Sequence, residues 1–228
     1  MKADYFKVFV LRTVGNFLLL SAIAGVFLTF APVIQAEVVY RYDNLVGRKF
    51  VVEGDPAMAG QVSASGNAFA GLLGVEEPLS ISPLDPNFDI IIPKIGANAR
   101  VVANVDPGNY NKYIDALRHG VAHAAGTKYP GQAGNTFLFA HSVGNFWEVS
   151  RWNAVFYLLR ELNPGDEVDL FYLGRRFVYV VYDKKVVDPT DVRYLSSQAN
   201  FPMLTMQTCW PPGTTLKRLL VFGRLKGA

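Results

Sequence analysis

The sequence predicts a mainly β fold, a closed or nearly closed barrel of short strands with a few short helices, preceded by one transmembrane helix. Three observations support this prediction. Strand-like runs rich in β-branched residues outnumber the helical patterns, most connections between them are short, and a long uncharged segment lies near the N-terminus. Half of the residues are hydrophobic and 18% are charged, which is enough apolar material for one core.

The uncharged segment covers residues 14–34, which are 21 residues without a charged side chain. At about 1.5 Å per residue, a helix of this length spans a hydrocarbon layer of about 30 Å. Lys2, Lys7 and Arg12 precede the segment, so the positive-inside rule places the N-terminus in the cytoplasm and the rest of the chain outside. A signal peptide cleaved after Ala36 is the alternative. The apolar run exceeds the usual signal core of about 7–15 residues, which favours an uncleaved anchor in the cell membrane.

The charge of the chain gives no support to a nucleic-acid partner. The net charge is +3, of which +2 belongs to residues 1–36 (three basic and one acidic side chain). Residues 37–228 carry 19 basic and 18 acidic side chains, a net charge of +1. A nearly neutral folded region lacks the basic surface that phosphate backbones attract.

Composition divides the chain into four segments. Residues 1–12 form a cytoplasmic N-terminus, residues 13–36 the membrane anchor, and residues 37–86 a juxtamembrane segment followed by a Gly-, Pro- and Ser-rich linker. Residues 87–228 form the folded domain. We expect the linker to hold this domain away from the membrane.

The folded domain contains seven predicted strands and two predicted helices. The first helix places Tyr110, Ile114 and Leu117 on one face and stops at Gly120. A Gly174–Arg175 turn joins two of the strands in a hairpin. The helices cover residues 110–118 and 146–162, and the strands cover residues 89–93, 100–105, 135–140, 167–173, 176–182, 203–208 and 217–225.

Cys209 is the only cysteine of the chain, and it follows the strand that ends at Thr208. A single cysteine is compatible with an inert core residue, an intermolecular link, a metal ligand or a nucleophile. Metal binding is disfavoured, because only His119, His123 and His141 are available as further nitrogen ligands.

Two other residues occupy comparable positions. His141 directly follows a predicted strand, and Arg218 begins the strand after Cys209. On one rim of a barrel, the three would supply a nucleophile, a proton donor and acceptor, and a permanent cation for a developing oxyanion. Each also has a structural interpretation: His141 as a loop histidine and Arg218 as a surface cation. Arg224 has the same strand parity as Arg218, so periodicity does not choose between them.

Several motifs together resemble the sortase family. The string Thr205-Met206-Gln207-Thr208-Cys209 is similar to the Thr-Leu-x-Thr-Cys signature of sortases, with methionine in the leucine position. The other matching pieces lie in family order between about residues 88 and 225. They are Ile92-Pro93-Lys94-Ile95-Gly96, Gly120-Val121-Ala122-His123, Gly126-Thr127, Pro130-Gly131, Gly134-Asn135, Ala140-His141 and Arg218-Leu219-Leu220-Val221.

The resemblance implies an eight-stranded β-barrel and a membrane-anchored cysteine transpeptidase of the bacterial surface. Cys209 would cleave a Leu-Pro-x-Thr-Gly-like (LPXTG-like) sorting signal of a secreted protein through a thioester, and Arg218 would stabilise the oxyanion. His141 would protonate the departing glycine amine and then accept a proton from the incoming amine of peptidoglycan or a pilin. Thr208, Ala140 and Trp210 are the candidate substrate-binding residues. No cofactor, metal or nucleic acid is expected.

Two other functions remain open at this point. An exported cysteine peptidase would use the same residues but resolve the thioester with water. A catalytically silent barrel would act as a binding module. A lid that covers the site, as in pilus-building relatives, would have to come from residues 56–86, which carry no obvious anchoring motif.

Overall fold

The computed structural model describes residues 2–53, 78–142, 155–196 and 199–227. The chain forms two compact units, Met1–Val39 and Tyr40–Ala228. Most of the predicted linker and the first part of the predicted helix over 146–162 lie outside the described residues.

The first unit is helical. Helix α1 covers Lys2–Leu45 and contains the predicted apolar run. Its part Tyr5–Leu28 has a mean hydropathy of 1.7 and is not buried, and by length and composition it is suited to cross a membrane. The N-terminal apolar helix predicted from the sequence is therefore confirmed.

The second unit contains a closed barrel of eight strands, which confirms the predicted fold class. The strands are β3 (Phe88–Ile92), β4 (Ala97–Val105), β5 (Val121–Ala124), β6 (Gly134–Phe139), β7 (Glu167–Tyr172), β8 (Arg175–Val187), β9 (Pro202–Trp210) and β10 (Lys217–Leu225). Around the barrel the order is β10–β8–β7–β3–β4–β5–β6–β9, and β9 pairs again with β10. Strands β4 and β5, and strands β6 and β9, are parallel, and the other neighbours are antiparallel.

Alternate residues of these strands divide between two apolar clusters. All eight strands contribute to the first cluster, which fills the barrel interior and includes Leu204, Met206 and Val221. The second cluster lies on the outside of β5, β6 and β10 and includes Phe139 and Leu220. Neighbouring residues of one strand therefore face different clusters.

Helix α2 (Tyr110–His119) covers the second cluster. It starts at Asn109, whose side chain accepts a hydrogen bond from the backbone N–H of Lys112 at 3.2 Å. It ends at Gly120, where a Cβ atom would lie 2.2 Å from a backbone oxygen of β4, so only glycine allows this approach.

The predicted inner face of α2 was wrong in one position. Leu117 is buried as expected, but Tyr110 is 72% exposed. Tyr113 is the aromatic residue that turns inward, and it stacks on Phe139. Because positions 110 and 113 both have helical spacing to Leu117, periodicity did not distinguish them.

Five shorter elements, two strands and three 3-10 helices, also belong to the described part of the second unit. Strands β1 (Phe50–Val52) and β2 (Leu79–Ile81) form a small parallel pair. Residues 78–87, here called the strap, then lead into β3. The described end of the predicted helix over 146–162 is a 3-10 helix, Tyr157–Glu161. Two further 3-10 helices are Pro93–Ile95, between β3 and β4, and Val192–Tyr194, between β8 and β9.

Candidate active site

Cys209 and Arg218 are direct neighbours across two antiparallel strands. In the register of β9 and β10, Cys209 lies opposite Arg218 and Trp210 lies opposite Lys217. Residues opposite each other in such a ladder point to the same face, with their Cβ atoms about 4.5–5.5 Å apart. The strand pair therefore places a half-buried thiol and a half-buried guanidinium side by side on the outer face of the barrel wall.

His141 reaches the same rim through a parallel pair of strands. Strands β6 and β9 run in the same direction, and Phe139 lies opposite Gln207. The backbone N–H of Ala140 donates to the carbonyl of Gln207 at 3.1 Å. Phe139 and Gln207 are the last paired residues of these two strands. His141 lies two residues after Phe139, and Cys209 lies two residues after Gln207.

Cys209, His141 and Arg218 line one cleft of about 240 Å³. The order of the strands therefore brings together three residues that are separated by up to 77 positions in the sequence (218 minus 141). The cleft has an apolar wall, formed by Leu117, Phe137, Phe139, Val192 and Leu195.

The three predicted substrate-binding residues occupy different positions. Ala140 lines the cleft. Thr208 also lines it, but its buried hydroxyl donates to the carbonyl of Ala140 at 3.1 Å and ties β9 to the end of β6. Trp210 packs against the interior cluster and is not among the residues that line the cleft in the described part of the chain. Because side chains alternate along a strand, Trp210 faces away from Cys209.

The other two histidines lie outside the cleft lining. His119 is exposed near the end of α2. His123 is buried, its Nδ1 accepts a hydrogen bond from the N–H of Asn104 at 3.3 Å, and its Nε2–H donates to the carbonyl of Lys128 at 3.1 Å. Burial lowers the pKa of His123, so the neutral ring that this pattern needs is favoured.

Arg218 is held by its own loop. Its Nη1 donates to the carbonyls of Thr215 at 3.2 Å and Lys217 at 3.1 Å. A guanidinium has five N–H donors, so others stay available to a substrate oxygen. Among the residues that the structure describes, three or more His, Cys, Asp or Glu side chains do not come together as metal ligands anywhere.

Sequence reasoning missed Tyr113 and the loop between β8 and β9 as parts of the site. Tyr113 lines the cleft from α2, and Asp191, Val192 and Leu195 line it from the loop. Helical spacing from Leu117 allows Tyr110 and Tyr113 equally, and the packing of Tyr113 on Phe139 selects Tyr113. The loop residues follow no periodic pattern.

The arrangement suits acyl transfer to sulfur. A cysteine thiolate attacks a carbonyl, a fixed cation stabilises the oxyanion that develops, and a histidine supplies and removes protons. All three kinds of group border the cleft.

Comparison with known proteins agrees with this geometry. The sortase domain model matches residues 90–226. Sortase D of Bacillus subtilis (strain 168) is 29% identical over 136 residues, which are 58% of this chain and 60% of that protein. The chain thus spans less than two thirds of that relative's length.

Solved structures show the same likeness. Sortase C-1 of Actinomyces oris is 28% identical, with a TM-score of 0.53, over 64% of this chain and 76% of that chain. Sortase C of Clostridium perfringens, in a structure with the C-terminal cell wall sorting motif, is 26% identical, with a TM-score of 0.50, over 61% of this chain and 70% of that chain. A matching family domain that covers more than half of the sequence, on a barrel of this topology, places this chain in the sortase family.

Proposed function

We propose that this chain is a membrane-anchored cysteine transpeptidase that cleaves an LPXTG-like sorting signal and joins the secreted protein to a cell-wall or pilin amine. The observation that carries the proposal is the register of β9 and β10, which sets Cys209 beside Arg218 in the cleft that His141 also lines. Sortases are cell-wall transpeptidases, and membership of that family supports the reaction class.

The first half of the reaction forms a thioester. The Cys209 thiolate attacks the threonine carbonyl carbon of the sorting signal, and a tetrahedral oxyanion develops beside Arg218. When the intermediate collapses, the bond between threonine and glycine breaks. His141 gives a proton to the departing glycine amine, and the threonine acyl group stays on sulfur.

The second half transfers the acyl group. An amine attacks the thioester carbonyl, His141 accepts its proton, and the carbon–sulfur bond breaks with return of the electron pair to Cys209. Water would resolve the same thioester by hydrolysis and release the cargo unattached. Whether transfer or hydrolysis occurs depends on whether an amine or water reaches the thioester first.

Helix α1 and the likeness to a sorting-motif complex support the substrate and location. An apolar N-terminal helix suits an uncleaved anchor, with Lys2, Lys7 and Arg12 in the cytoplasm and the barrel outside. The Clostridium perfringens relative was solved with a cell wall sorting motif. Secreted proteins with a C-terminal signal of this kind are therefore the proposed substrates.

The test uses the full chain in detergent, a library of LPXTG-like peptides, excess glycine-based amine and mass spectrometry of the products. We expect an amide-joined product that Cys209→Ala abolishes. We also expect His141→Ala to slow its formation by about 10²- to 10⁴-fold, while His119→Ala changes little. A free acid as the only product, even with a range of amines, would favour the peptidase. Absence of cleavage and of a thioester would favour the silent barrel.

A further inference from the structure

Tyr113 lines the cleft and carries a phenol hydroxyl to which the mechanism above gives no role. Its ring stacks on Phe139 at a centroid distance of 5.6 Å and an interplanar angle of 19°. Phe139 precedes His141 by two residues, so the stack fixes the ring at the catalytic rim. Within the described ranges of the chain, no hydrogen-bond partner is found for the Tyr113 hydroxyl, although the side chain is half-buried.

The electrostatic surroundings of Tyr113 keep this hydroxyl protonated. Burial raises the pKa of the phenol above its ordinary value, the negative charge of Cys209 raises the pKa further, and the Arg218 guanidinium lowers it. The net result is a raised pKa, so the group is an O–H donor at neutral pH. Tyr113, Cys209 and Arg218 line the same cleft.

We propose that Tyr113 is a further catalytic residue, whose hydroxyl donates a hydrogen bond to the carbonyl oxygen of the acyl group that Cys209 attacks. Tyr113 and Arg218 would then bind the oxyanion from two sides, one from α2 and one from β10. This inference rests on the proposed function only in that Cys209 accepts acyl groups.

Two properties of the site favour the acyl oxygen as the partner of the Tyr113 hydroxyl. Arg218 already donates through Nη1 to two loop carbonyls, so a second donor adds to what the guanidinium supplies. A preformed donor also stabilises a developing charge more than a neutral carbonyl, which is the difference that lowers a barrier. The Phe139 stack holds the donor in place before substrate binds.

The test separates chemistry at a carbonyl from reactivity of the thiol. With p-nitrophenyl acetate, the Cys209 thiolate attacks the ester carbonyl, an oxyanion forms, and the carbon–oxygen bond breaks with release of nitrophenolate. With iodoacetamide, sulfur displaces iodide from carbon and no oxyanion forms. Neither reagent needs a sorting signal or an amine. Both rates are measured on the full chain in detergent, with Cys209→Ala as the background.

Tyr113→Phe removes the hydroxyl and keeps the ring that stacks on Phe139. We expect acylation to slow about 10- to 100-fold and alkylation to change less than about twofold. Tyr110→Phe is the matched control, because Tyr110 lies on the same helix but is 72% exposed. It should leave both rates unchanged.

Two outcomes would overturn the proposal. An unchanged acylation rate in Tyr113→Phe would show that Tyr113 only lines the cleft and has no role in catalysis. An equal loss of the acylation and alkylation rates would show that the hydroxyl affects the reactivity of the Cys209 thiol and does not bind the acyl oxygen. Because ester acylation does not require transpeptidation, a failure of the sorting reaction in the earlier peptide assay leaves this result interpretable.

Discussion

The pairing of Cys209 with Arg218 is a consequence of backbone geometry. Antiparallel strands with a short connection force residues at fixed positions to oppose each other, so the backbones of Cys209 and Arg218 stay paired as long as the ladder is intact. The loop carbonyls of Thr215 and Lys217 hold one edge of that guanidinium. The cation is therefore positioned before any substrate arrives, which is the condition for effective oxyanion stabilisation.

Replacement of Arg218 should affect the transition state more than the fold. We expect Arg218→Gln to lower kcat about 10²- to 10³-fold in the peptide assay, because the oxyanion loses its charged donor. Arg224→Gln is the matched control. Arg224 lies on the same strand about 20 Å away, where its guanidinium stacks on Phe201 at 4.0 Å. An equal loss in both variants, measured on protein of confirmed fold, would refute the assignment.

At the scale of elements, the sequence predicted those strands that alternate or end at a clear turn. Strands β7, β9 and β10 were predicted within two residues of their bounds, whereas β8 runs five residues beyond its predicted end at Tyr182. Strand β5 was not, because all four of its residues are buried and a four-residue run shows no alternation. Strands β1 and β2 have only three residues each, and β2 comes directly after a stretch of linker composition.

From the sequence, only those residues of the candidate site that lie near strand ends could be predicted. Cys209, His141 and Arg218 could be placed on one rim because each lies within two residues of a strand end. Trp210 could have been excluded by alternation alone, since it follows Cys209 directly in β9. Tyr113 depended on the angular position of α2, which packing against Phe139 decides and helical spacing does not.

The strap offers a test of how the barrel is joined to the chain before it. The backbone N–H of Asp85 donates to Asp89 Oδ2 at 2.9 Å, and Asn98 Nδ2 donates to the carbonyl of Ser82 at 2.8 Å. Asp89 is fully buried, and in the described part of the chain its Oδ1 has no hydrogen-bond partner. Burial raises the pKa of Asp89 from 3.8 to about 6.

A raised carboxyl pKa makes the folded state bind the proton more tightly than the unfolded state. The resulting stability is complete below pH 3.8 and is lost as pH rises through about 6. Asp89→Asn removes this dependence. The free energy of unfolding of the wild type should therefore fall, relative to the variant, by about 2 kcal/mol between about pH 4.5 and about pH 7.5.

Urea denaturation of both proteins at the two pH values measures the difference, and comparison with the variant cancels other titrating groups such as His123. Asp115→Asn is the control, because the Asp115 side chain is 70% exposed. A constant difference between wild type and Asp89→Asn across this range would show that the buried carboxyl does not titrate as described.

At the scale of the whole molecule, the chain consists of one helical unit and one unit that contains the barrel. The apolar helix carries three basic side chains at its start, whereas residues 37–228 are nearly neutral. The charge asymmetry that orients a membrane protein is therefore concentrated at the N-terminus. The proposed orientation follows from these residues and from the length of the apolar run, and it is open to direct measurement.

The single cysteine makes the orientation measurable without engineering the barrel. In intact bacteria that express the full chain, we expect a membrane-impermeant maleimide to label Cys209, because the thiol is only half-buried and the proposed orientation places it outside the membrane. Cys209→Ala should abolish labelling. When Lys2→Cys is added to Cys209→Ala, the new thiol should react only after the cells are permeabilised. Labelling of Cys209 only in permeabilised cells, with Lys2→Cys labelled in intact ones, would reverse the orientation and place the catalytic cleft on the side where neither sorting signals nor cell-wall amines arrive.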